Sequence, residues 1–94
     1  MKAVITVVGM DRTGIVAQVA TRIAGHSINI LEITQDILND YFVMILIVDI
    51  SQMNAPFGKV AEDFSKWGEE NGLSVRMQHE DLFRSMHRLE RENG

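Results

Sequence analysis

Val7-Val8-Gly9-Met10-Asp11-Arg12-Thr13-Gly14-Ile15-Val16, residues 7–16, switches the apolar pattern from strand-like to helical, and that switch decides the fold class. Upstream, Lys2 to Val8 is rich in β-branched residues and reads as a strand. Gly9 to Gly14 is turn-forming. Downstream, Ile15, Val16, Val19, Ala20, Ile23 and Ala24 recur at helical spacing while Gln18, Thr21 and Arg22 fall on the other face, and Gly25 closes the helix.

Working outward, His26-Ser27 connects to a second β-branched run, Ile28 to Leu38. Leu31, Ile33 and Ile37 are expected on one face and Glu32, Thr34 and Asp36 on a wet one. Asn39-Asp40 tolerates left-handed backbone and predicts a hairpin into Tyr41 to Ile50, paired antiparallel. Phe57, Val60, Ala61, Phe64, Trp67 and Gly68 predict a second helix, with Asn54 as N-cap, Pro56 in the first turn and Gly72 past the end. Leu73 to Gln78 reads as a short strand, and Asp81 is expected to cap a last helix using Leu82, Phe83, Met86 and Leu89. The order predicts an α/β (α+β) fold, a ferredoxin-like βαββαβ sandwich with an antiparallel four-stranded sheet over residues 1–80 and a C-terminal helical extension over 81–94.

The run Tyr41 to Val48 does not alternate, although helices cover only one face of such a sheet. Either the C-terminal helix lies across the second face or a partner subunit covers it or extends the sheet edge, because a large exposed apolar patch is unusual in a monomer. A homodimer or higher homo-oligomer is expected.

The chain has 94 residues and a net charge of −4, which offers no global attraction to nucleic acid or an anionic membrane. It has no cysteine, so disulfides and thiolate metal centres are excluded. The start runs directly into a strand without a signal-peptide pattern, so a cytoplasmic location is expected. Tyr41 to Val48 is the longest apolar stretch and falls far short of the roughly 20 residues of a membrane span.

Gly9 to Gly14 has the G-x-x-x-x-G half of a phosphate loop, but Ile15 and Val16 replace the required Lys and Ser/Thr, so nucleotide hydrolysis is unsupported. The glycine-bracketed turn still opens a helix whose free N–H groups suit an anion such as a carboxylate. The plainer alternative is that Asp11 or Thr13 caps the helix and Arg12 is solvated. Asn29 either closes a turn or offers its amide to a bound molecule, and the element order predicts it near the first loop. His26, His79 and His87 lack metal-ligand spacing and are expected to be exposed. No paired acid and base or nucleophile pattern points to an enzyme, and no cofactor is implied. Arg84, His87, Arg88 and Arg91 form a stripe on the last helix that Glu80, Glu90 and Glu92 compensate, so a nucleic-acid contact is not favoured.

Val7 to Val19 carries the D-R-x-G-I/L-V/L pattern and resembles the start of the ACT domain, as do Ser27-Ile28-Asn29-Ile30-Leu31-Glu32-Ile33 and the hairpin into Tyr41-Phe42-Val43-Met44. The likeness covers about residues 1–80 and is similar to small stand-alone ACT proteins of prokaryotes and to ACT modules of glycine-cleavage regulators and formyltetrahydrofolate deformylase. It implies an allosteric, regulatory domain that binds amino acids or related small molecules at a subunit interface. It also implies that Asp11, Arg12, Thr13, Gly14 and Ile15 contact ligand through backbone groups and that Asn29 adds a side-chain amide. Thr13 departs from the proline common at that position in the family. The alternative function is a ligand-free dimerisation or protein-interaction module.

Overall fold

The computed structural model describes residues 1–86. Its elements follow the order β1 (Lys2–Met10), α1 (Ile15–Gly25), β2 (Asn29–Leu38), β3 (Tyr41–Asp49), α2 (Phe57–Glu70), β4 (Leu73–His79) and α3 (Glu80–Met86). The strands form one sheet ordered β2-β3-β1-β4, with every neighbouring pair antiparallel. This is the ferredoxin-like sandwich that the element order implies.

Strand β1 is central because its residues are apolar on both faces. Ala3, Ile5 and Val7 point toward the helices and are fully buried. Ile15, Val19 and Ile23 of α1, spaced by four, and Val60 and Phe64 of α2 close over them. Each such side chain contributes about 1.5–3 kcal/mol on full burial. That packing holds α1 despite its many β-branched residues, Ile15, Val16, Val19, Thr21 and Ile23, and the lack of a side-chain cap.

The cap expectations need correction. The N-cap of α1 is Gly14 in the left-handed region at φ 88°, and neither Asp11 nor Thr13 caps the helix. The N-cap of α2 is Pro56 rather than Asn54. Asn54 instead donates from Nδ2 to the Gly25 carbonyl at 3.2 Å, tying the end of α1 to the approach to α2. Helix α3 begins at Glu80, directly after β4, one residue before the expected Asp81 cap. Leu89, His87, Arg88, Arg91, Glu90 and Glu92 lie outside the described residues.

Strand β3 does alternate in burial. Phe42, Met44, Leu46 and Val48 face the helices and are buried, whereas Val43, Ile45 and Ile47 are half-buried on the helix-free face. Strand β2 is one of the two edge strands, with β4 the other, and is exposed along almost its whole length. A register shift between Ile30 and Glu32 takes Leu31 out of the ladder. Gln35, opposite Met44, therefore shares the helix-side face with Ile33 and Ile37. His26, expected exposed, is half-buried with its ring 5.2 Å from that of Phe64. His79 is exposed but stacks on Phe57 at 3.8 Å.

Candidate functional site

Strand β1 and helix α1 meet at the end of the sheet marked by the row Met10, Tyr41 and Leu38. Gly14 makes the turn there: its positive φ is open to glycine and strained for other residues. Its carbonyl accepts from the Gln18 N–H at 3.0 Å, the first bond of the helix. The N–H groups of residues 15–17 precede that bond and have no acceptor within the helix.

Arg12 is exposed, as a solvated charge would be, but it is also engaged. Its Nη1 donates to the Asn71 carbonyl at 2.7 Å, and its Nη2 donates to Gln18 Oε1 at 3.2 Å. Asn71 in turn donates from Nδ2 to the Trp67 carbonyl at 2.8 Å. A charge-assisted bond to a carbonyl left over at a helix end is among the stronger surface contacts, so Arg12 fastens the first loop to the turn between α2 and β4. The backbone N–H of Asp11 donates to the Asp40 carbonyl at 3.0 Å, joining the same loop to the hairpin.

Between α1 and the edge strand β2 lies an open groove of about 580 Å³, lined by Asp11, Arg12, Gly14, Ile15, Val16, Ala17, Ala20, Gln35, Ile37 and Phe42. Four of the six residues singled out in the sequence, Asp11, Arg12, Gly14 and Ile15, thus converge on it. Ile15 has its side chain in the core, leaving its backbone for the groove. Thr13 is exposed on the same loop and does not line the groove.

Asn29 is not brought to this loop within one chain, contrary to the expected proximity. It pairs with Asp49, at the end of the sheet where Lys2 begins β1, whereas the loop follows Met10 at the other end. Nine residues of strand separate the two ends, about 26 Å at 3.3 Å per step. The reason is that β2 runs parallel to β1, both being antiparallel to β3, so the start of β2 returns to the start of β1.

Gln35 was missed by sequence reasoning, and its signal was phase. It is a polar residue two positions from both Ile33 and Ile37, on the face toward α1. Ile37 and Phe42 supply the apolar floor beside it, and Ala17 and Ala20 keep that side of α1 low. The groove therefore offers free backbone donors, a carboxylate at Asp11, an amide at Gln35 and an apolar wall. Such a set suits a small zwitterion with a short side chain.

No group of three or more His, Cys, Asp or Glu among the described residues can hold a metal ion, and no helix among them is long and apolar enough to cross a membrane. Asp49 departs clearly from ordinary carboxyl behaviour. It is held below the usual value of 3.8 by hydrogen bonds from the Ser51 hydroxyl and N–H, aided by the charges of the N-terminus and Lys2. It sits at the end of the sheet away from the groove.

The chain is similar to several known proteins over most of its length. A UPF0237 protein of Methanopyrus kandleri is 47% identical over 88 residues, covering 94% of this chain and 98% of that one. An ACT domain protein from Streptococcus pneumoniae superposes with a TM-score of 0.78 at 37% identity, covering 88% of this chain and 93% of that one. A formyltetrahydrofolate deformylase from Pseudomonas syringae matches with a TM-score of 0.74 at 25% identity, covering 83% of this chain but 27% of the enzyme. Residues 2–78 match the family model described as ACT domain, and with the loop, the sheet order and these relatives in agreement the chain belongs to the ACT domain family.

Proposed function

We propose that this protein is a regulatory, non-catalytic domain that binds an amino acid or a related small ligand at a homo-oligomer interface. The observation that carries the reading is the groove in which Asp11, the start of α1, Gln35 and Ile37 meet beside an unpaired sheet edge. The ligand carboxylate would bind the N–H groups that open α1, and its ammonium would bind Asp11.

The edge strand supports the interface half of the reading. Leu31, Ile33, Ile37 and Leu38 of β2 are each more than 40% exposed, and an exposed apolar edge invites another strand. Antiparallel pairing of β2 with β2 of a second copy sets the start of one strand beside the end of the other. Asn29 of the partner subunit then lies by the Asp11–Ile15 loop, which would complete the groove that one chain leaves open. The same edge also supports the second reading, a ligand-free dimerisation module.

Thermal unfolding with a panel of amino acids at millimolar concentration separates the two. A ligand present at 100 times its Kd stabilises the native state by about 2.7 kcal/mol. At least one amino acid is expected to raise Tm, and Asn29→Ala and Gln35→Ala to abolish that rise while leaving the ligand-free Tm unchanged. A flat panel, with dimers intact, leaves the dimerisation module standing and removes the ligand.

A further inference from the structure

Helices α1 and α2 run antiparallel over the sheet, and a second, open cleft of about 430 Å³ lies between them on the outer surface. Its size is in the range of small-molecule sites. It is lined by Ala17, Gln18, Thr21 and Arg22 of α1, by Trp67 of α2 and by Asn71 at the end of α2. It is on the other side of α1 from the α1–β2 groove, and only Ala17 lines both. None of its six lining residues is acidic.

The polar groups of the cleft are mostly donors. Gln18 Oε1 accepts from Arg12 Nη2, and because arginine only donates, the amide is fixed with Nε2 left over as a donor. Arg22 lies over the Trp67 ring, 5.6 Å from its centroid, and has no ion pair or hydrogen bond among the described residues. Stacking orients the guanidinium and leaves its planar fork of N–H groups unspent. Thr21 adds a hydroxyl beside it. The carbonyl end of α2 would repel an anion here, but Arg12 already sits on the Asn71 carbonyl and offsets it.

We infer that this cleft is a second binding site, for a small carboxylate with an apolar body. Arg22 pairs with the carboxylate, Gln18 Nε2 and Thr21 Oγ1 donate to it, and the body rests on Ala17 and the Trp67 indole. Asp63 lines the adjoining hollow with Thr21 and Arg22, which disfavours a more highly charged group such as phosphate. A cation in the last turn of α1 also stabilises the helix itself, but that role needs charge alone. Lysine would meet it and lacks the fork that pairs with a carboxylate.

Trp67 is the single tryptophan of the chain, so its emission reports on the cleft. The full chain is titrated at constant ionic strength with cyclohexanecarboxylate, and with its neutral amide, acetate and inorganic phosphate for comparison. Cyclohexanecarboxylate should give a saturable change in emission, about tenfold tighter than acetate or phosphate because only it brings an apolar body. The amide should give none. Arg22→Ala should weaken the response about tenfold or more, as loss of a charge-assisted hydrogen bond requires, and Arg22→Lys should stay weak. Gln35→Ala, altered in the other groove, should titrate like wild type. No saturable change in wild type, an equal response to the amide, phosphate binding as tightly, or full rescue by lysine overturns the inference. A response lost in Gln35→Ala and kept in Arg22→Ala places the probe in the α1–β2 groove and overturns it too. Each of these results leaves the amino-acid reading of that groove to its own test.

Discussion

Replacing Gly68 by alanine tests the packing of α2 on β4, because two opposed effects of known size meet at one atom. In an isolated helix interior the change is worth about 1 kcal/mol in favour of alanine. In this fold a Cβ at residue 68 meets the Leu73 carbonyl at 2.8 Å and Val75 Cγ2 at 2.8 Å. Both neighbours sit in strand β4, at positions whose side chains are buried, and the carbonyl is backbone, so the contact is relieved only by moving α2 away from the sheet. Overpacking of this kind costs about 1–3 kcal/mol and outweighs the propensity gain, leaving a net loss of about 1 kcal/mol. Gly58, in the first turn of the same helix, has nothing within 4 Å of the corresponding position. Gly58→Ala therefore keeps the propensity gain, reduced near the helix end, and stabilises by about 0.5 kcal/mol. In a domain of this size 1 kcal/mol shifts Tm by about 4–8 °C. Calorimetry on the two variants should thus place Gly68→Ala below wild type and Gly58→Ala above it. A Gly68→Ala protein as stable as wild type refutes the reasoning, because it shows that α2 moves from β4 at no cost.

Further outcomes follow from the ties between loops and from the sheet end. Arg12→Ala removes the donor to the Asn71 carbonyl and costs about 1 kcal/mol, and hydrogen exchange should show faster opening of the loops around residues 12 and 71 while the β1 core stays protected. Exchange that speeds up equally in β1 would show that Arg12 supports the whole fold. Asp49 has a lowered folded pKa, so its contribution is present above the unfolded value near 3.8 and is lost as pH falls through the lower folded value. Asp49→Asn should therefore flatten the fall in stability below about pH 4 and leave its shape near neutrality unaltered, as urea melts across that range would show. An acid limb identical in the two proteins removes Asp49 from that role.

Much of the fold was legible because the signals are local. The switch of period at Gly14 is a property of neighbouring residues, and so is the hairpin at Asn39, whose φ of 59° is the left-handed value asparagine tolerates. The caps were misread for a complementary reason. Asp11, Thr13 and Asn54 are good capping residues by type, but Gly14 already makes the turn into α1, and Asn54 is taken by Gly25 from another element. Arg12 looked like a solvated charge because Asn71 is 59 residues away in the chain.

By itself the sequence determined the kind and order of the elements, the apolar stripe of each helix and the loop from Asp11 to Ile15, since all of these depend on residues within a few positions of one another. Only the tertiary structure decided which residues share a site. The parallel course of β1 and β2 sends Asn29 to the far end of the sheet, and the register shift at Leu31 turns Gln35 toward α1. The position of β2 at the edge leaves its apolar side chains uncovered. Strand order and register arise from pairing between distant segments, in which a single inserted residue reverses every side chain beyond it, and no local pattern carries that information.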